Sequence, residues 1–403
     1  MSTVSTMRLY LKKSIINLNT LFMKNICKII SLLVLFHFIP GNSQEIKVNL
    51  KINTAGSINV SENISGITQK DTLLLHKNIP LIGSNEQSLK DKTDLFRGIY
   101  RQYLKSAGRL EYSVNLPTAH YDNFFLKESV FFIAENYLAM EKSTFNSKKK
   151  IVLNIALPSS LTLIYPAKDD LEQDFYTAPP VIAGDFKEEL YKDYKIYQRK
   201  TLPENQKRKY QIIDIIAKSF ENFQQIFEPV SKKPKIVFMP FEGNLAGKNI
   251  YGALALNEKF LKNDYFNKRI LIHEILHMWW GDNSIRFENP VLTEAFTEYF
   301  TLKYLMKEAD DKYLNQIMAA KRKNINEIKN YDLSFAKIND QTTYNTYCYD
   351  LLPLMLLEND KAENILINFY KNKKSSFVNE KEGNELLQKL GIKIKNTYEK
   401  KLN

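Results

Sequence analysis

Cysteine is almost missing from these 403 residues: only Cys27 and Cys348 occur, which excludes a disulfide framework. Histidine is nearly as scarce, five in all, so any pair of imidazoles at a defined spacing carries information. No apolar run approaches the roughly 20 residues that a transmembrane helix needs. The strongest, Ile29 to Ile39, is about half that length. Interleaved basic and aromatic clusters are also lacking, which argues against a nucleic-acid partner despite a formal net charge of +12. Five of those positive charges (Arg8, Lys12, Lys13, Lys24 and Lys28) precede Ser43 with no acid among them, so the remainder carries an ordinary lysine excess. What is present is 44% hydrophobic and 12% aromatic residues, enough for a sizeable core, and the length calls for two domains.

Residues 23 to 43 read as a secretory signal: a basic start, the apolar run, then Gly41 and Ser43 before Gln44. Met23 can serve as the start, residues 1 to 22 being a polar, basic extension. The expected product is an exported chain, periplasmic or secreted, beginning near Gln44 and with no stable membrane span. Cys27 precedes the apolar run and makes a poor lipid anchor, and its loss with the signal leaves Cys348 alone.

From residue 44 to about 190, short alternating or apolar runs broken by turn residues (EIKVNLKIN, LEYSVNLP, KIVLNIALP, SLTLIYP, PPVIAGDF) predict a mainly antiparallel β domain. His76 and His120 fall here and read as ordinary strand or loop histidines. The charged stretch Tyr191 to Pro203 reads as the passage to a second domain, 191 to 403. There, Asn205 to Phe227 is strongly helical, Lys235 to Met239 is a strand, and Glu242 to Gly252 is a loop before another apolar strand. From Leu292 onward the chain reads as mostly helical.

One stretch carries chemistry. In His273-Glu274-Ile275-Leu276-His277 the two histidines are four apart, so on a helix both imidazoles face one point, with Glu274 beside them. The surrounding run from Asn267 to Trp280 has no proline or glycine and predicts a helix that Gly281 ends. A catalytic zinc site takes three protein ligands and leaves a position for water, so a third ligand is required. The next helical stretch, Leu292 to Glu308, supplies Glu294 in its first turn and Glu298 one turn later on the same face; Glu294 is the choice.

HEILHMWWGDN followed by LTEAFTEYF resembles the gluzincin metallopeptidases of the aminopeptidase N and leukotriene hydrolase kind, whose pattern runs roughly HELxHxWxGN and then LNEGFAxY. The resemblance implies an α+β chain: an N-terminal antiparallel β domain followed by a thermolysin-like, mainly helical zinc catalytic domain. It implies Zn2+ on His273, His277 and Glu294, with Glu274 as the catalytic base acting on peptide or protein substrates. Three departures stand out. The spacer Met278 to Thr293 is 16 residues, two fewer than usual, which places the deletion in the loop Asp282 to Asn289. The family's GxMEN motif, whose glutamate holds the substrate's α-amine, aligns on Gly252 so that Asn249 takes the glutamate's place; Glu242 and Glu258 are the nearby acids. The family's oxyanion-stabilising tyrosine falls best on Tyr347, with Tyr344 and Tyr349 as competitors, and its Tyr-x-Lys-Gly context is missing. There is also no room for the large helical C-terminal domain of full-length members, which implies a more open site. These features predict a zinc metallopeptidase, aminopeptidase-like with relaxed N-terminal specificity. The alternatives are an endopeptidase or other hydrolase on the same fold, and a non-catalytic secreted binding protein.

Overall fold

Alternation of side chains builds the first strands. In Glu45–Ile52 the residues Ile46, Val48, Leu50 and Ile52 are buried while Lys47, Asn49 and Lys51 face solvent, the period of two of a half-buried strand. The computed structural model describes residues 45–392 except 65–71, 77–88, 95–97, 105–108, 119–122, 127–128, 142–146, 172–173, 177, 243–244, 263–266, 282–283, 309–310 and 327–340. The expected signal, residues 23 to 43, and His120 lie outside the described residues. Among the described residues no helix is long and apolar enough to cross a membrane.

The chain is α+β, a β-rich N-terminal region followed by a helical part. Among the described residues, the N-terminal region holds three four-stranded sheets. In one, Glu45–Ile52 pairs antiparallel with Ser57–Ile64 but parallel with Lys150–Ala156, a parallel pair that alternation alone does not disclose. In another sheet the chain pairs over Ser129–Phe132 and then turns into a 3-10 segment at Ala134–Tyr137.

A five-stranded sheet follows: β1 (Phe186–Tyr191), β2 (Tyr194–Arg199), β3 (Lys235–Met239), β4 (Gly247–Ile250) and β5 (Ala253–Asn257), in the order β1-β2-β3-β5-β4. The Tyr191 to Pro203 stretch, expected as a passage between domains, thus supplies β2, parallel to β3. Charge misleads there because Lys195, one of its cations, faces solvent while Tyr194, Ile196 and Tyr197 are buried. The sheet is covered on both faces. Ile236, Phe238, Leu254 and Leu256 join a core with the helices, while Val237, Met239, Ala253 and Ala255 join one with the N-terminal strands.

The Glu242 to Gly252 loop also contains a strand. β4 runs antiparallel to β5 at the sheet edge, joined through Tyr251 and Gly252 at φ of +53° and +88°. Two left-handed residues are what a two-residue hairpin requires, and tyrosine is an unusual choice for the first. Helix α1 (Gln206–Ile226) begins on its Asn205 cap and buries Ile212, Ile216, Phe220 and Phe223 as its spacing predicts. Helices α2 (Lys268–Leu276), α3 (Pro290–Lys307) and α4 (Asp311–Asn326) follow.

Candidate metal centre

Helix α2 starts on Asn267, whose side chain accepts from the Ile270 amide at 3.2 Å. It is shorter than its sequence suggests. Regular helix stops at Leu276, and His277 is its cap rather than an interior residue. Trp279 and Trp280 then turn away into full burial, where Trp279 donates its indole N–H to the Glu228 carbonyl at 3.0 Å. Gly281 has φ +138°, a backbone conformation that L side chains rarely adopt, which is why glycine ends the motif.

Helix α3 begins at Pro290 on an Asn289 cap, earlier than the expected Leu292. Glu294 therefore lies beyond the first turn. Complementing the helix dipole does not account for it.

The ligand atoms of His273, His277 and Glu294 all lie within 4.8 Å of one another. His273 Nε2 is 3.1 Å from Glu294 Oε2, and His277 Nε2 is 3.7 Å from Glu294 Oε1. Ligands about a tetrahedral zinc, with bonds near 2.0–2.1 Å, stand roughly 3.3 Å apart. The three residues fit such an ion. Both imidazoles are also oriented from behind: His273 Nδ1 lies 3.0 Å from Glu298 Oε2 and His277 Nδ1 lies 3.0 Å from the Trp280 carbonyl. Partners of this kind at Nδ1 present Nε2 to a metal.

By sequence Glu298 is only an acid on the same helix face as Glu294; its surroundings are set by Arg269 and Lys321, which no sequence pattern singles out. It is fully buried, with Arg269 Nη1 at 2.7 Å from Oε2 and Lys321 Nζ at 2.7 Å from Oε1. The Lys321 approach is an ion pair and lacks the alignment of a hydrogen bond. Burial alone would raise the Glu298 pKa, but Arg269 and Lys321 outweigh it and hold this carboxylate far below its ordinary range. The spacing of four from Glu294 was the available signal.

In the metal-free protein, burial pulls the His273 pKa down, while its hydrogen bonds to the Glu294 and Glu298 carboxylates overcome it and raise it to about 9. For Glu294 burial acts upward and the two histidines prevail, lowering it to about 2. A metal needs the neutral imidazole, so below pH 9 it must displace a proton from His273, whereas Glu294 stays ionised. Zinc affinity is accordingly expected to fall about tenfold per unit as pH drops below that value. Calorimetric titration at pH 7 in buffers of different ionisation heat should show about one proton released per metal; no release would contradict the reading.

Glu274 faces a cleft of about 460 Å³, lined also by Asn249, His277, Arg286, Glu294 and Tyr349. Glu274 Oε2 accepts from the Asn249 amide at 3.0 Å. The Asn249 side chain donates to the Glu274 carbonyl at 2.8 Å, so its amide group serves the base's own backbone. Of the other acids, Glu242 is exposed and absent from the cleft lining, and Glu258 forms a bidentate pair with Arg199 at 2.8 to 3.1 Å. Glu288 does reach the rim, with one oxygen accepting from the Glu380 amide at 2.9 Å.

Tyr347 is buried in the helical core and does not line the cleft. It is Tyr349 whose hydroxyl donates to Glu294 Oε2, at 3.0 Å. Residues Thr346–Leu351 form a π-helical turn in which the Leu352 amide bonds to the Tyr347 carbonyl, five residues back. The extra residue shifts which side chain faces the metal ligands.

No protein-family model matches the chain, and no curated protein matches it in sequence. Solved structures do. An M1 zinc metallopeptidase from Deinococcus radiodurans aligns over 87% of this chain and 91% of its own, with a TM-score of 0.55 and 12% identity. A substituted two-domain form of an M1 zinc metallopeptidase bound to L-arginine gives 0.56 over 86% and 90%, also at 12%. An aminopeptidase N family protein from Idiomarina loihiensis gives 0.54 over 81% of this chain and 70% of that one, at 13%. At such identities the likeness is one of architecture, and the chain has the fold of the M1 zinc metallopeptidases.

Proposed function

We propose that this chain is a zinc metallopeptidase that hydrolyses peptide bonds with relaxed dependence on a free N-terminus. The observation that carries the reading is the convergence of His273, His277 and Glu294 within 4.8 Å of one another, with His277 and Glu294 lining the same cleft as Glu274. The division at about residue 190, into a β domain and a thermolysin-like catalytic domain, belongs to the same proposal. So does export, by the signal read at residues 23 to 43.

His273, His277 and Glu294 would hold the zinc. A zinc ion so bound supplies Lewis acidity, lowering the pKa of water to about 7 and polarising a carbonyl. Glu274, one residue from a ligand and fixed by the Asn249 amide, takes the proton from the attacking water and returns it to the leaving amine. Tyr349 donates its hydroxyl to the developing oxyanion. Burial raises the pKa of that hydroxyl, so it keeps its proton at neutral pH. The fold relatives named as zinc metallopeptidases support this reading, and the complete donor set argues against a non-catalytic binding protein.

Specificity turns on Asn249. A carboxylate pairing with an α-ammonium is worth roughly 1.5–3 kcal/mol, about tenfold to a hundredfold in preference for unblocked substrates. An amide already given to the Glu274 carbonyl offers no such pairing. Purified protein tested on aminoacyl fluorogens and N-blocked peptides, with and without chelator, should cleave both comparably and lose both activities to chelation. No chelator-sensitive hydrolysis of any peptide would refute the function. Strict need for a free N-terminus would refute the specificity and point to Glu288, in which case Glu288→Gln should raise KM for amino-terminal substrates with zinc content unchanged.

A further inference from the structure

Behind the metal ligands lies a buried charged cluster that the chemistry above does not use. It consists of Arg269, Glu298, Lys321 and Asp350, two cations and two anions. Lys321 is its junction, with a side chain only 5% exposed. Its Nζ stands 2.7 Å from Glu298 Oε1 and 3.5 Å from Asp350 Oδ1, and it donates to the Tyr349 carbonyl. Asn324, one turn further along α4, donates to Asp350 Oδ2 at 2.9 Å.

The Tyr349 carbonyl needs an outside donor for a reason written in the sequence. In an α-helix it would accept from the residue four ahead, which is Pro353 and has no N–H. The proline ring would also crowd that carbonyl. The carbonyl lies in the π turn Thr346–Leu351. An ammonium from α4 takes it up.

We propose that Lys321 is a positioning residue for both sides of the site: through Glu298 it holds the His273 imidazole, and through the Tyr349 carbonyl it holds the π turn that carries the Tyr349 hydroxyl to Glu294. The proposal rests on the metal reading given above. Stability alone is a weak reason for such a cluster, because replacing buried ion pairs by apolar groups is often neutral or stabilising. Orientation is a stronger one, since removing groups behind metal ligands commonly costs tenfold to a hundredfold in affinity or activity.

The test compares the full chain with Lys321→Met, Lys321→Arg, Glu298→Gln and Tyr349→Phe, after circular dichroism has established that each is folded; Lys321→Gln replaces Lys321→Met if the latter is not. Zinc affinity is read by competition with a chromophoric chelator, which does not depend on turnover. Lys321→Met should weaken zinc about tenfold, and should add less than about threefold when combined with Glu298→Gln. In zinc-saturated protein it should lower kcat by about tenfold to a hundredfold with KM within about threefold, and add little in the Tyr349→Phe background. Lys321→Arg should recover most of both. Wild-type zinc affinity and kcat in Lys321→Met, or full additivity with both partners, would overturn the proposal. If the unsubstituted chain binds zinc but cleaves no peptide, the proposed function fails while the affinity arm still decides the role of Lys321. If it binds no zinc, both fail.

Discussion

Glu274→Gln is expected to bind zinc as tightly as the unsubstituted chain while hydrolysing peptides on the order of 10² to 10⁴ times more slowly. The substitution conserves shape: a glutamine oxygen can still accept from the Asn249 amide, which lies 3.0 Å from Glu274 Oε2. The side-chain stem of residue 274, which lies beside Gly247 of edge strand β4, is unchanged as well. What disappears is the capacity to take a proton. His277→Ala should behave differently, losing zinc and turnover together, since it removes one of three donors. Zinc content and kcat measured on both variants separate the base from the ligand. Parental turnover in Glu274→Gln would remove this glutamate from the mechanism.

Tyr349→Phe should lower kcat by about 10² to 10³, the usual cost of one oxyanion donor, with zinc retained. Tyr347→Phe should leave kcat within about threefold and affect stability instead, because Tyr347 is a core residue. The contrast follows from one hydrogen bond, Tyr349 to Glu294 at 3.0 Å, and from the π turn behind it. Steady-state kinetics on the two variants decide the matter. A large loss in Tyr347→Phe with none in Tyr349→Phe would reverse the assignment.

The parts of the site legible in the sequence are those fixed by local geometry. His273 and His277 need only one turn of helix to converge, and Glu294 sits at a recognisable place on the next helix. The same holds for the strands whose apolar residues alternate, and for α1. Sequence alone leaves Tyr349 as one of three candidate tyrosines, because counting along an ideal helix passes over the π turn at Thr346–Leu351. Strand β4 was hidden by its length, four residues including Lys248 and Asn249, and by a hairpin turn that puts Tyr251 where asparagine or glycine is usual. Lys321 and Arg269 could not be read at all. Their partner Glu298 is distant in sequence, and a charged residue on a helix is ordinarily on its wet face. That Asn249 lacks a carboxylate is plain in the sequence, but its hydrogen bond to the Glu274 carbonyl exists only in the fold.

If His273, His277 and Glu294 hold one catalytic zinc, elemental analysis of protein purified without chelator should find close to one zinc per chain, lost in His277→Ala. Protein that contains no zinc, and takes up none when zinc is added, would contradict that assignment.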